Sequence, residues 1–133
     1  MIKLITTASI FAFLFSGISY IFLIIYISII LKNQKEEIIQ EIIHNAPDKF
    51  RDRARLQIYS NFSWVFASST AFTWYGYIML RYAWKIPIQD IQLWKNKINE
   101  AYGSYYKLYN FSTYLVNIWL VGLPIACIGV YIQ

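Results

Sequence analysis

The feature that most constrains this chain is a pair of long uncharged stretches at its two ends, Ile5 to Leu31 and Phe111 to Gln133. A membrane-spanning helix needs roughly 20 mostly apolar residues, because the hydrocarbon layer is about 30 Å thick and a helix rises about 1.5 Å per residue. Both stretches are long enough. A fold of 133 residues has too little remaining chain to enclose two such helices on all sides. The ends of the chain therefore predict two transmembrane helices.

The N-terminus has the beginning of a secretory signal, with Lys3 ahead of an apolar stretch. The apolar core of a signal peptide spans about 7–15 residues, whereas here the apolar character continues to Leu31. We therefore expect an uncleaved signal anchor.

The predicted fold is an all-α integral membrane protein with five segments. Residues 1–31 form the first transmembrane helix, 32–60 a basic amphipathic helical segment, and 61–80 an uncharged aromatic segment. Residues 81–110 form an amphipathic helix with interfacial aromatic residues, and 111–133 the C-terminal transmembrane helix. Helical periodicity of the apolar side chains in 38–43 and 91–108 predicts two stripes that pack on each other or on a neighbour.

Segment 61–80 leaves three alternatives open. It is uncharged, but serine, threonine and asparagine dilute its apolar character. It is therefore consistent with a third span, with a re-entrant or interfacial element, or with a helix packed against the others.

The distribution of positive charge favours two spans over three. Of twelve Lys and Arg residues, only Lys3 precedes the first apolar helix, and none follows the last one. Short loops rich in Lys and Arg remain on the cytoplasmic side of a membrane. A third span would leave five or six cations outside, whereas a two-span hairpin keeps the other eleven inside. We therefore predict a hairpin with the N-terminus and the C-terminus both outside.

Two groups of residues are candidate contact sites. Small or amide side chains let membrane helices approach closely and hydrogen bond, which predicts packing faces at Ala8, Ala12, Ser16, Ala67, Ala71, Asn117, Gly122 and Ala126. Aromatic rings and snorkelling cations mark the edge of a membrane, which predicts interfacial anchors at Arg81, Tyr82, Trp84, Lys85, Tyr105, Tyr106 and Tyr109.

The sequence contains no pattern typical of an enzyme. The apolar end helices hold no Asp, Glu, Lys, Arg or His, which are the residues of proton relays, ion pathways and haem sites. The single histidine, His44, cannot form a metal site alone, and there is no glycine-rich phosphate loop. We expect no catalytic, metal or cofactor site, and no nucleic-acid partner.

These observations favour a non-enzymatic accessory subunit or assembly factor of a larger membrane protein complex. Its expected partners are other membrane subunits or a second copy, with anionic lipid headgroups at the basic side. The alternative is a self-oligomerising pore or holin-like protein. We expect the bacterial inner membrane, with the mitochondrial inner membrane as the other possibility.

Overall fold

The computed structural model describes residues 1–132, and within them the chain is helical with no β-strand. Two long helices, α1 (Ile2–Ile30) and α7 (Tyr106–Ile132), flank five shorter ones. These are α2 (Lys35–His44), α3 (Arg51–Ser60), α4 (Trp64–Ala67), α5 (Trp74–Ile78) and α6 (Ile88–Tyr102). A π-helical turn, Met79–Ala83, extends α5.

The chain contains two helical stretches long and apolar enough to cross a membrane, α1 and the C-terminal stretch that ends in α7. Only 28% of the most apolar window of the first and 17% of that of the second is buried within the protein. Helices in the core of a soluble protein bury most of their apolar surface, and exposed apolar patches of this extent mark contact with lipid or another protein.

The helices α1 and α7 pack along each other in antiparallel directions. In three pairs, Gly17 of α1 lies against Trp119 of α7, Phe13 against Gly122, and Thr6 against Gly129. The residue numbers in α7 increase as those in α1 decrease, so the helices run in opposite directions. Both ends of the chain therefore lie at the same end of this hairpin. All eleven cations after Lys3 belong to residues 32–107, between or at the start of the long helices.

The joining segment has its own apolar core, formed mainly between α2 and α6. The predicted stripe of α2 is buried, since Ile38, Ile39, Ile42 and Ile43 are each at most 3% exposed. It packs on Ile91, Trp94 and Ile98 of α6, and the Trp94 Nε1–H donates to the Ile42 carbonyl at 3.0 Å. The two amphipathic stripes thus pack on each other, as their periodicity predicts.

The uncharged middle segment is not one helix. It contains only the four-residue α4 and the five-residue α5, with turns between them. The hydroxyls of Ser68, Ser69, Thr70 and Thr73 each donate to the carbonyl three residues earlier. Such local bonds compete with the helical ladder. Of the three alternatives for 61–80, a continuous third spanning helix is therefore not formed, and the protein has two helices long and apolar enough to span a membrane.

Candidate functional site

The seam between α1 and α7 depends on the absence of side chains at three glycines. A Cβ at Gly17 would lie 3.0 Å from the Trp119 Nε1, and one at Gly122 would lie 3.3 Å from the Phe13 Cβ. A Cβ at Gly129 would overlap the side chain of Thr6. Close backbone approach gives apolar helices dispersion contacts that lipid cannot supply.

The predicted packing residues of the long helices divide between this seam and the outer surface. Ser16, Gly122 and Ala126 are buried, and the Ser16 hydroxyl donates to the Ala12 carbonyl at 2.6 Å. Ala8 and Ala12 are exposed on the outside of α1. The intramolecular hairpin therefore uses part of the small-residue set and leaves the rest facing outward.

The small residues of the middle segment do not form a helix face. Ala67 and Ala71 are both buried, but α4 ends at Ala67 and Ala71 lies in the following turn. Ala67 and Ala71 therefore do not lie on one helix, as a helical packing face would require. Both alanines instead belong to the interior of the folded chain.

Asn117 of α7 holds the middle segment against the hairpin. Its Oδ1 accepts from the Trp74 backbone N–H at 3.0 Å, and its Nδ2 donates to the Phe72 carbonyl at 3.0 Å. These two bonds pair backbone groups that the break before α5 leaves without helical partners. The sequence predicts Asn117 as a hydrogen-bonding residue, but its partners are turn backbone rather than another spanning helix.

The anchors predicted at residues 81–85 face different ways. Tyr82 is 74% exposed, and Lys85 is exposed with φ of 54°, in the left-handed region. Arg81 is half-buried and its Nη1 donates to the Ile86 carbonyl at 2.9 Å, which closes the turn. Trp84 is half-buried and packs edge-to-face on Phe50 at 5.3 Å between ring centroids. Only Tyr82 and Lys85 of these four project into the surroundings.

The tyrosines around the start of α7 also divide between surface and interior. Tyr106 is 40% exposed and Tyr105 is half-buried, whereas Tyr109 is completely buried. Tyr109 stacks on Tyr102 with 4.0 Å between ring centroids, and the hydroxyl of Ser68 lies 2.7 Å from that of Tyr102. The expectation of an interfacial position for Tyr109 is wrong, because its ring completes an aromatic core cluster that sequence reasoning missed.

One outer flank of the hairpin carries an apolar depression, which we call the hairpin groove. It has a volume of about 400 Å³. Its lining includes Ser9 and Ala12 of α1 together with Val121, Gly122 and Ile125 of α7. Small side chains on both helices create this depression, and such surfaces let another membrane helix approach closely.

A polar cleft of about 240 Å³ lies between α6 and α7. The side-chain oxygens of Asn99 and Asn110, which both line it, are buried without a hydrogen-bond partner among the described residues. The Lys95 ammonium lies 5.2 Å from the centre of the Phe72 ring at the same cleft. Residues 1–132 contain no group of three or more His, Cys, Asp or Glu side chains positioned to hold a metal ion.

An exposed polar cluster ties α2 to α3. The Tyr59 hydroxyl donates to the Glu36 carboxylate at 2.5 Å, and the Gln40 amide donates to the same carboxylate at 3.2 Å. The bond from Tyr59, with a smaller contribution from Gln40, lowers the pKa of Glu36 below its usual value of 4.5. The same bond raises the pKa of Tyr59.

The fold and these surfaces define an all-helical protein with two helices long and apolar enough to span a membrane. No protein-family model, no curated protein and no solved structure gives a significant match to this chain.

Proposed function

We propose that this chain is a non-enzymatic small subunit or assembly factor of a larger membrane protein complex. In this proposal α1 and α7 span the inner membrane with both termini outside, and the basic joining segment lies on the cytoplasmic face. The hairpin groove receives a transmembrane helix of a partner subunit.

One observation carries the proposal: the side of the hairpin that faces away from the contact between α1 and α7 remains apolar and contains an open groove. Phe11, Phe15 and Ile18 of α1 are each more than half exposed, and the groove next to Ala12 remains open. A helix that lines a water-filled pore needs a polar face, whereas the outward faces of α1 and α7 are apolar. This favours helix docking over the pore or holin-like alternative.

The test is extraction of the tagged full chain in a mild detergent, followed by mass spectrometry of the proteins that co-purify. Ala12→Leu fills the hairpin groove, whereas Ala8→Leu is the matched control, because Ala8 is exposed on the same helix but does not line the groove. We expect larger membrane proteins to co-purify with the wild type and with A8L, and to be lost with A12L.

Two results would contradict the proposal. One is equal recovery of partners with A12L and A8L, which would place the contact elsewhere. The other is recovery of only a homo-oligomer whose expression permeabilises cells, which would establish the pore-forming alternative.

A further inference from the structure

A second groove, which we call the lysine groove, lies along the C-terminal third of α1. Five side chains of α1 between Ile21 and Ile29 line it, together with Phe62 and Trp64 from the middle segment. Its volume is about 550 Å³, within the range of about 300–1,000 Å³ typical of ligand sites. Lys32 and Lys35 line the same groove just beyond the end of α1.

The groove is apolar along its length and cationic at one end. From Ile21 to Lys32 the chain advances about 16 Å at the rise of an α-helix, which is long enough to lie along much of a lipid acyl chain. Ammonium groups bind phosphate as point charges, and juxtamembrane lysines attract anionic headgroups. The combination matches a molecule with a hydrocarbon chain and an anionic head.

The two lysines are available for such a ligand. Neither forms a salt bridge within residues 1–132, where the pairs are Arg51 with Asp48 and Lys97 with Glu100. Glu36 and Glu37 follow Lys35 in the chain, and Glu36 interacts electrostatically with Lys35. The Glu36 carboxylate is hydrogen bonded to Tyr59 and Gln40 rather than to either lysine. Neither Glu36 nor Glu37 lines the groove, so the charged side chains that line it are the two lysines.

We propose that the lysine groove binds one anionic phospholipid, with an acyl chain against α1 and Phe62 and the phosphate between Lys32 and Lys35. The inference requires α1 to lie in a bilayer, but it does not depend on the proposed partner subunit. A lipid held here seals the gap between the hairpin and the middle segment at the level of the headgroups.

The experiment is native mass spectrometry of the purified full chain in detergent, with phosphatidylglycerol or phosphatidylcholine of identical acyl chains added. We expect one bound phosphatidylglycerol, retained about tenfold better than phosphatidylcholine. The double variant K32Q/K35Q should lose this preference. The charge-matched control K49Q/K107Q should keep it, because both of its lysines are exposed and neither lines the groove.

A third variant tests the apolar part of the site. Ile25→Trp fills the groove without changing its charge and should weaken binding of both lipids. Excess glycerol phosphate should not displace phosphatidylglycerol, because it lacks the acyl chain.

Three results would overturn the proposal. These are equal retention of the two lipids by the wild type, an equal loss in K49Q/K107Q and K32Q/K35Q, or displacement by glycerol phosphate. The second would mean diffuse attraction to a basic surface, and the third a site for free anions or acidic protein segments. Because purified protein is used, failure here leaves the co-purification of partners as an independent test of the accessory role.

Discussion

Replacing Asn117 should loosen the middle segment from the hairpin. The Asn117 side chain satisfies the Trp74 N–H and the Phe72 carbonyl, each at 3.0 Å. A net hydrogen bond is worth about 0.5–1.5 kcal/mol, and a buried group left unpaired costs about 1–3 kcal/mol. The Phe72 carbonyl has no other partner in that turn among the described residues. Because the bond to the Trp74 N–H is exposed and the bond to the Phe72 carbonyl is only partly buried, we expect Asn117→Leu to lower the free energy of unfolding by about 1–2 kcal/mol.

Two companion variants separate the hydrogen bonds from the change of shape. Asn117→Asp keeps an acceptor for the Trp74 N–H but sets an oxygen against the Phe72 carbonyl, so it should destabilise at least as much as N117L. Asn96→Leu is the control, because Asn96 is an exposed asparagine of α6 and its loss should change the free energy by less than about 0.5 kcal/mol.

The assay is unfolding in mixed micelles followed by tryptophan fluorescence, together with amide hydrogen exchange of the peptide around Trp74. In N117L the exchange of this peptide should accelerate, while that of α2 should be unchanged, because α2 packs on α6 rather than on the turn. Unchanged exchange at Trp74 in N117L would refute the assignment of Asn117 as the residue that holds this segment.

Two further predictions concern the joining segment. Trp94→Phe keeps an aromatic ring but removes the N–H donor to the Ile42 carbonyl and part of the buried ring volume. It should lower stability by about 2–3 kcal/mol in chemical unfolding, and no change would contradict the role of that bond. The lowered pKa of Glu36 means that its bonds stabilise the fold above the unfolded pKa of about 4.5, and that this contribution is lost as pH falls through the folded value. Tyr59→Phe should reduce the acid dependence of unfolding below about pH 4.5, and an unaltered pH profile would contradict the assignment.

The sequence predicts the long helices well because their signal is local. The sequence predicts that the first span ends at Leu31, and α1 ends at Ile30. It predicts that the last span begins at Phe111, and α7 begins five residues earlier, at Tyr106. Tyr106 and Tyr109, which we predict at a membrane edge, belong to α7 itself. Apolar length and periodicity suffice for these elements because each depends on its own residues.

The middle segment and the direction of the aromatic side chains were not predictable in the same way. An uncharged sequence does not reveal that its serines and threonines bond locally and interrupt the helix after Ala67. Nor does it reveal that Tyr109 stacks on Tyr102 rather than facing a membrane edge, because the two rings meet only after Gly103 turns the chain at φ of 60°. These features depend on tertiary contacts, which a single sequence does not display.

The most direct test of the account is the side of the membrane on which each part of the chain lies. Single cysteines at Lys49, Leu93 and Tyr131, in a Cys127→Ser background, can be labelled with an impermeant maleimide in intact and in permeabilised cells. All three wild-type side chains are exposed in the structure. We predict labelling of Y131C in intact cells, and labelling of K49C and L93C only after permeabilisation. Labelling of K49C and L93C from opposite sides would contradict the two-span hairpin.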